Sequence, residues 1–156
     1  MGALLMGLLV SGSPAQAAES GQAKAGKELQ VSVDREMGAH PGGVQTAPDE
    51  ISYDGGRFVI TVARPGQQAA LSCPAGWYCF WDGLNFTGNR GKLSSCGTQA
   101  LAQWNWQNRI KSVYNRTGDY VYFWDYATGA DQLFPGNDDY NNVLYAGVYD
   151  AASRWC

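Results

Sequence analysis

The chain has 156 residues, a formal net charge of −3 and 16% charged residues. That length suits one ordinary domain with an appendage, and the absence of a basic patch argues against nucleic acid as a partner. Aromatic residues reach 13% and are unevenly placed: all six Trp, eight of nine Tyr and four of five Phe fall in 77–156. That half therefore reads as folded and strand-rich, because rings suit a half-buried pleated surface.

The chain opens "MGALLMGLLVSGSPAQAAES". An apolar run, Ala3 to Val10, is followed by the small-residue site "AQA", which is secretory signal-peptide grammar with cleavage expected near Ala17. The basic n-region is missing, so the grammar admits a start upstream of Met1. No other apolar run is long enough to cross a bilayer, so no membrane contact is expected after cleavage. Residues 18–50 are polar and rich in Gly, Ala and Gln. They read as linker or pro-segment, with at most a short helix before Met37 and no sustained apolar face. Over 51–66, Ile51–Tyr53 and Phe58–Val62 flank "DGG" and predict a β-hairpin lead-in closed by Pro65-Gly66.

From Trp77 the pattern is short strands separated by turns. "WYCFWD" is a strand, "GLNFTGN" a glycine-bearing turn and "RGKLSS" a second strand. "TQALAQW" offers one helical turn, and "WNWQNRIKSVYN" a third and fourth strand. "YVYFWDY" restarts the cycle and "AGVYDAASRW" closes it. "FWD" recurs after 43 residues, at Phe80-Trp81-Asp82 and Phe123-Trp124-Asp125. "WQNRIKSV" and "VYDAASRW" superpose at a spacing of 42. Two units, about 73–115 and 116–156, each of roughly four strands, predict paired Greek keys in a domain spanning 69–156. One unit cannot bury its apolar face alone, whereas two packed together can.

Four cysteines, Cys73, Cys79, Cys96 and Cys156, favour two disulfides over reactive thiols in an exported chain. Zinc is disfavoured, since the only His is His40 and there is no paired C-x-x-C. Sequence alone does not choose among three pairings; Cys73–Cys79 with Cys96–Cys156 is favoured. Loop entropy assigns the short ring about 2.4 kcal/mol and the long one about 4.3 as upper values.

"FWDGLNFTG", with Trp81 followed seven residues later by Gly88, resembles the folded hairpin of the βγ-crystallin superfamily. Trp106-Gln107-Asn108-Arg109-Ile110-Lys111-Ser112 approximates its second element. The second unit is degraded: Trp124 meets Asp131 at the glycine position, with Gly129 two residues early. "SCPAGWYCFWDGLNFTGNRGKL" is similar to secreted actinobacterial proteins of the Streptomyces-type metalloproteinase inhibitor family, and "HPGGVQTAPDEISYDGGRFVITV" to their lead-in. The resemblance covers about 39–156. It implies a disulfide-stabilised all-β sandwich of two Greek keys. It also implies a secreted monomeric inhibitor, not an enzyme, that blocks an extracellular protease through a rigid surface loop. That family's founding inhibitor uses a second small disulfide loop. Cys96 and Cys156 are too far apart to make one, so no reactive-site residue carries over. "CPAGWYC" and "FPGNDDYNN" are the candidate loops.

The resemblance also raises calcium. Crystallin-type sites take hard oxygen ligands from the second element, and here only part of the set is present: Asn108 and Ser112 in one unit, Asp150 and Ser153 in the other. Lys111 and Arg154 stand at hydroxyl-ligand positions, and turn-capping is the competing role. No other cofactor is implied. Trp104 and Trp106, two apart in "WNW", would share one strand face. Exposed, they could stack on a glycan, as a wall-targeting protein would require; core burial is the commoner fate of such rings. Catalysis has little support. There is no His in the domain and no Glu after Glu50, and the carboxylate pairs Asp82 with Asp125 and Asp138-Asp139 show no tuning feature. Asn85 and Asn115 head N-x-T sequons.

Overall fold

A computed structural model describes residues 14–64, 66, 71–129, 131–136, 139–141 and 149–156. The run Ala3–Val10, and with it most of the expected signal peptide, lies outside those residues. Among the described residues one α-helix, α1 (Pro14–Ala39), precedes eleven strands: β1 (Val44–Ala47), β2 (Glu50–Tyr53), β3 (Phe58–Thr61), β4 (Tyr78–Trp81), β5 (Arg90–Leu93), β6 (Gly97–Ala100), β7 (Ser112–Asn115), β8 (Tyr120–Trp124), β9 (Asp131–Phe134), β10 (Asp139–Asn141) and β11 (Ala151–Trp155).

The strands form two antiparallel sheets. One has the order β1-β2-β3-β5-β4-β7-β10 and the other β6-β11-β8-β9. The first unit, β4 to β7, places its third strand, β6, in the far sheet. The second unit, β8 to β11, returns the exchange with its third strand, β10. The core of the fold is thus β5-β4-β7-β10 facing β9-β8-β11-β6, two Greek keys that each complete the other's sheet. This is the all-β sandwich of two Greek keys expected from the sequence, and the exchange is the reason neither unit can stand alone.

The repeated "FWD" phrase divides its labour along the pleat, where successive side chains point to opposite faces. Phe80 and Phe123 point inward and meet edge to face at 5.9 Å in the shared core. Trp81 and Trp124 point outward. Asp82 and Asp125 open the two turns. Asp82 Oδ1 accepts the Asn89 N–H at 2.7 Å, and Asp125 Oδ1 accepts the Ala127 N–H at 2.8 Å. Gly88 sits at φ 78°, and a Cβ there would run into the Asp82 carboxylate, so the folded hairpin requires glycine.

The pairing register corrects the superposition of the units. Trp81 pairs with Ser112 and Trp124 with Ala151, so Ser112 is equivalent to Ala151 and not to Arg154. In the hairpins Trp81 pairs with Arg90 and Trp124 with Asp131. Gly129, at φ 68°, therefore takes the place of Gly88, on a hairpin two residues shorter. The "WNW" region also departs from the strand reading. The third strand is β6, and Leu101–Trp104 is a 3-10 turn leading into a loop.

The N-terminal part differs most from its sequence reading. Residues 18–50, read as linker or pro-segment, carry most of α1, all of β1 and the first residue of β2. Leu29, Val33 and Met37, at helical spacing, lie on the main apolar core, with Val33 fully buried. The expected hairpin, β2–β3, is present and adds to the domain's own sheet: β3 pairs with β5, extending the first sheet by three strands. Phe58 enters the core, stacked 4.6 Å from Trp104. This lead-in covers what would otherwise be the open edge of β5.

Both disulfides are formed, Cys73–Cys79 and Cys96–Cys156, and no free cysteine is present among the described residues. The second ties the start of β6 to the C-terminus beyond β11, closing a 60-residue separation.

Candidate functional site

"CPAGWYC" forms a small ring on the entry to β4, closed by Cys73–Cys79 with Cα atoms 5.8 Å apart. Pro74, Ala75 and Gly76 are exposed, while Tyr78 and Cys79 are buried. The exposed tip is held from below. The Gly76 N–H donates to Arg116 O at 2.8 Å, the Arg116 N–H to Trp77 O at 2.9 Å, and the Trp77 N–H to Pro74 O at 3.2 Å. Arg116 Nη1 donates to Cys73 O at 3.0 Å and Arg154 Nη1 to Gly76 O at 3.4 Å. Lys92 Nζ stands 5.3 Å over the Trp77 ring. The ring is therefore covalently closed, pinned through its own backbone carbonyls and surrounded by cations. A segment held this way loses little conformational entropy when another protein grips it. Of the second candidate loop, "FPGNDDYNN", Asn137, Asp138 and Asn142 lie outside the described residues, and Phe134 is buried.

The four calcium candidates occupy different surroundings. Ser112 is fully buried and committed at both ends: its hydroxyl donates to Gly83 O at 2.8 Å and accepts the Phe86 N–H at 3.0 Å, which holds the first folded hairpin against β7. Ser153, on the other sheet, accepts a 3.4 Å bond from the Thr98 hydroxyl. Asp150 Oδ2 accepts the Tyr126 N–H at 3.0 Å. Asn108 lies at φ 58° beside the second unit, its N–H donating to Tyr149 O at 2.9 Å. Only Asn108 and Asp150 fall on adjoining segments. Among the described residues no group of three or more His, Cys, Asp or Glu is placed to hold a metal ion.

Trp104 and Trp106 are 1% and 0% exposed, so neither can stack on a sugar in this arrangement. Both are core: Trp104 Nε1 donates to Asp54 Oδ2 at 3.0 Å, and Trp106 meets Phe80 edge to face at 5.2 Å. Asp82 and Asp125 serve separate turns. Burial raises the Asp82 carboxyl, against the opposing pull of Arg109. The Thr128 hydroxyl at 2.6 Å and the Ala127 N–H hold the Asp125 carboxyl below its usual range. Of the two sequon residues, Asn85 is exposed, whereas Asn115 is 1% exposed and fully occupied inside the fold.

The shift at Asp125 sets a sign for acid stability. Its folded pKa lies below the unfolded value near 3.8, so its contribution is complete above that pH and is lost as pH falls through the lower, folded value. Thermal melts should fall more shallowly below about pH 4 in Asp125→Asn than in the parent, since the variant has no carboxylate there to protonate. Parallel acid limbs would show that the turn does not depend on the charge.

Sequence reasoning missed two groups of residues. Arg109 bridges Glu36 of α1 (2.8 Å) and Asp82 (3.0 Å) while its guanidinium lies 4.5 Å over the Trp106 ring. No sequence signal links Glu36 to Arg109. On the outer face of the second sheet, Tyr120, Tyr122, Trp124 and Tyr126 form a row to which Trp155 adds a fifth ring. The alternation in "YVYFWDY" is the signal that could have found it.

Residues 66–134 match the model of peptidase inhibitor family I36. No curated protein matches significantly. Among solved structures, spherulin 3A from Physarum polycephalum is similar, at 12% identity over 55% of this chain and 89% of that chain with a TM-score of 0.43.

Proposed function

From the match of residues 66–134 to peptidase inhibitor family I36, we propose that the protein is an exported, non-enzymatic inhibitor of an extracellular peptidase, acting through the Cys73–Cys79 ring. The family match is the observation that carries this reading. The ring supports it with the two properties that substrate-like inhibition demands: an exposed backbone segment, Pro74–Gly76, and a base that holds its shape. An inhibitor of this kind enters the cleft as a substrate would. It resists turnover because the disulfide and the Arg116 contacts keep the cleaved ends from separating. The two disulfides fit export into an oxidising compartment, and among the described residues no helix is long and apolar enough to cross a membrane.

Titration of the disulfide-formed protein against a thermolysin-type metalloprotease and a subtilisin-type serine protease tests the reading. The expected result is stoichiometric loss of activity of one of them. Inhibition should fall at least tenfold in the Cys73→Ser/Cys79→Ser double variant, and slow clipping should map to 74–77. Full activity of both proteases beside intact protein would remove these two peptidase classes, and with them the metalloproteinase assignment.

A further inference from the structure

The outer face of the second sheet carries a binding site for a neutral polysaccharide chain; we infer this from a row of five aromatic rings, three more than half exposed and two half-buried. Tyr120, Tyr122 and Trp124 alternate along β8 with the buried Val121 and Phe123, and Tyr126 continues the row past the strand end. Trp155 on β11 pairs with Tyr120 and packs 4.6 Å from the Tyr122 ring, tilted 35° to it. Trp124 and Tyr126 lie 6.5 Å apart. Tyr120, Tyr126 and Trp155 are more than half exposed.

The pseudo-symmetry of the fold shows that this exposure is not a general property of the sandwich. At the equivalent place in the first unit, Trp81 is 2% exposed because Phe86 of the folded hairpin stands 5.1 Å over it and the Cys73–Cys79 ring packs beside it. The second hairpin is two residues shorter, "YATG" supplies no ring in the position of Phe86, and no disulfide ring flanks β8. The Trp81 position is therefore roofed in the first unit, whereas its equivalent Trp124 is partly exposed.

Charge narrows the occupant. Among the described side chains, the outward register positions of β6, β11 and β8 carry no charge. Arg154 alternates to the other face, where Asp119 at 2.7 Å neutralises it. With no cation on the face, an anionic polymer has nothing to pair with. Rings spaced about 6.7 Å apart along a strand, flanked by the exposed Thr98 and Tyr hydroxyls, suit a linear, uncharged, hydroxyl-bearing chain. Its pyranose rings present apolar C–H faces to the aromatics and hydroxyls to the rim, as amphipathic rings at wet interfaces do. The site is distinct from the Cys73–Cys79 ring and places the protein on a wall or matrix glycan while that ring engages a peptidase.

Retention of the full chain on microcrystalline cellulose and on colloidal chitin, after a wash in 1 M salt, tests the site. The parent should be retained on at least one, with the bound fraction at low load falling at least tenfold in Tyr126→Ala and in Trp155→Ala. Tyr140→Ala, which removes an exposed ring from the other sheet, should bind as the parent does. Near-ultraviolet circular dichroism checks that each variant is folded, and Tyr126, on a turn, is the substitution least able to disturb the sheet. Absence of retention on both matrices overturns the proposal. So does retention lost equally in Tyr140→Ala, or a dimer in solution that Trp155→Ala dissociates, which would make the face a self-interface.

Discussion

Asn115→Ala is expected to lower the free energy of unfolding by roughly 3–4 kcal/mol, a fall in Tm of about 10–15 °C for a domain this size. Asn115 ends β7 and is 1% exposed. Its Nδ2 donates to Asp119 O at 2.9 Å, Phe134 O at 2.9 Å and Pro135 O at 3.1 Å. Its Oδ1 accepts the Thr117 N–H at 3.0 Å and the Thr117 hydroxyl at 2.7 Å. One amide thus joins the linker between the two Greek keys to the end of β9. Alanine leaves buried donors and acceptors facing an empty space too poorly shaped to be filled by relaxation, and each such group costs about 1–3 kcal/mol. Asn115→Asp separates this account from simple volume loss. It conserves shape, but turns a donor toward three carbonyl oxygens into a carboxylate, and should cost at least as much as alanine. Urea unfolding of both variants is the measurement. Two losses under 1 kcal/mol would show that the amide is not the joint between the units. The same burial makes "NRT" unavailable as a glycan acceptor in the folded protein, whereas "NFT" is reachable.

How much of this was legible depended on whether the controlling contact was local. The strand character of "WYCFWD" and "YVYFWDY" and the glycine turns that follow them are local signals, and the structure places β4, β8 and the folded hairpins there. The two disulfides match the favoured one of the three pairings that the sequence left open. Register was not local. Matching the units on the letters of their second elements put Ser112 against Arg154. The sheet pairs Ser112's equivalent at Ala151, because the segments between the motifs differ in length. The calcium candidates Ser112 and Ser153 lie on opposite sheets because β7 and β11 do. The "WNW" alternation failed for a related reason. Period-two spacing means a shared face only on a strand, and Trp104 ends a 3-10 turn whose next residue, Asn105, is left-handed at φ 55°. Both rings then reach the core by separate routes.

The helix was the least legible element, and its dependence on distant contacts yields the second large prediction. Three glycines, Gly21, Gly26 and Gly38, fall inside α1, and its apolar stripe is only Leu29, Val33 and Met37. A peptide so composed should be mostly unfolded in water, since nucleation is costly and each glycine opposes the helix by about 1 kcal/mol relative to alanine. What holds it is tertiary. Val33 is 0% exposed in the core, Glu36 meets Arg109 across 73 residues of sequence, and the Tyr53 hydroxyl donates to His40 O at 3.1 Å just past the helix end. Val33→Asp is therefore expected to release the helix as a unit. A carboxylate cannot remain among apolar neighbours without a partner, at a cost of about 3 kcal/mol or more, and no local preference sustains the helix once it leaves. Amide hydrogen exchange over 26–39 should lose its protection, and protease cleavage between 21 and 43 should accelerate at least tenfold. Glu36→Gln, which keeps the packing and removes only the charge toward Arg109, should cost about 1 kcal/mol and leave the helix protected. Protection in Val33→Asp equal to the parent would mean that the helix stands without the core. Collapse in both variants would mean that Glu36 and Arg109, and not the apolar stripe, are the latch. The expected split, collapse in one and not the other, identifies the N-terminal segment as part of the folded sandwich, held by burial at two turns of an otherwise weak helix.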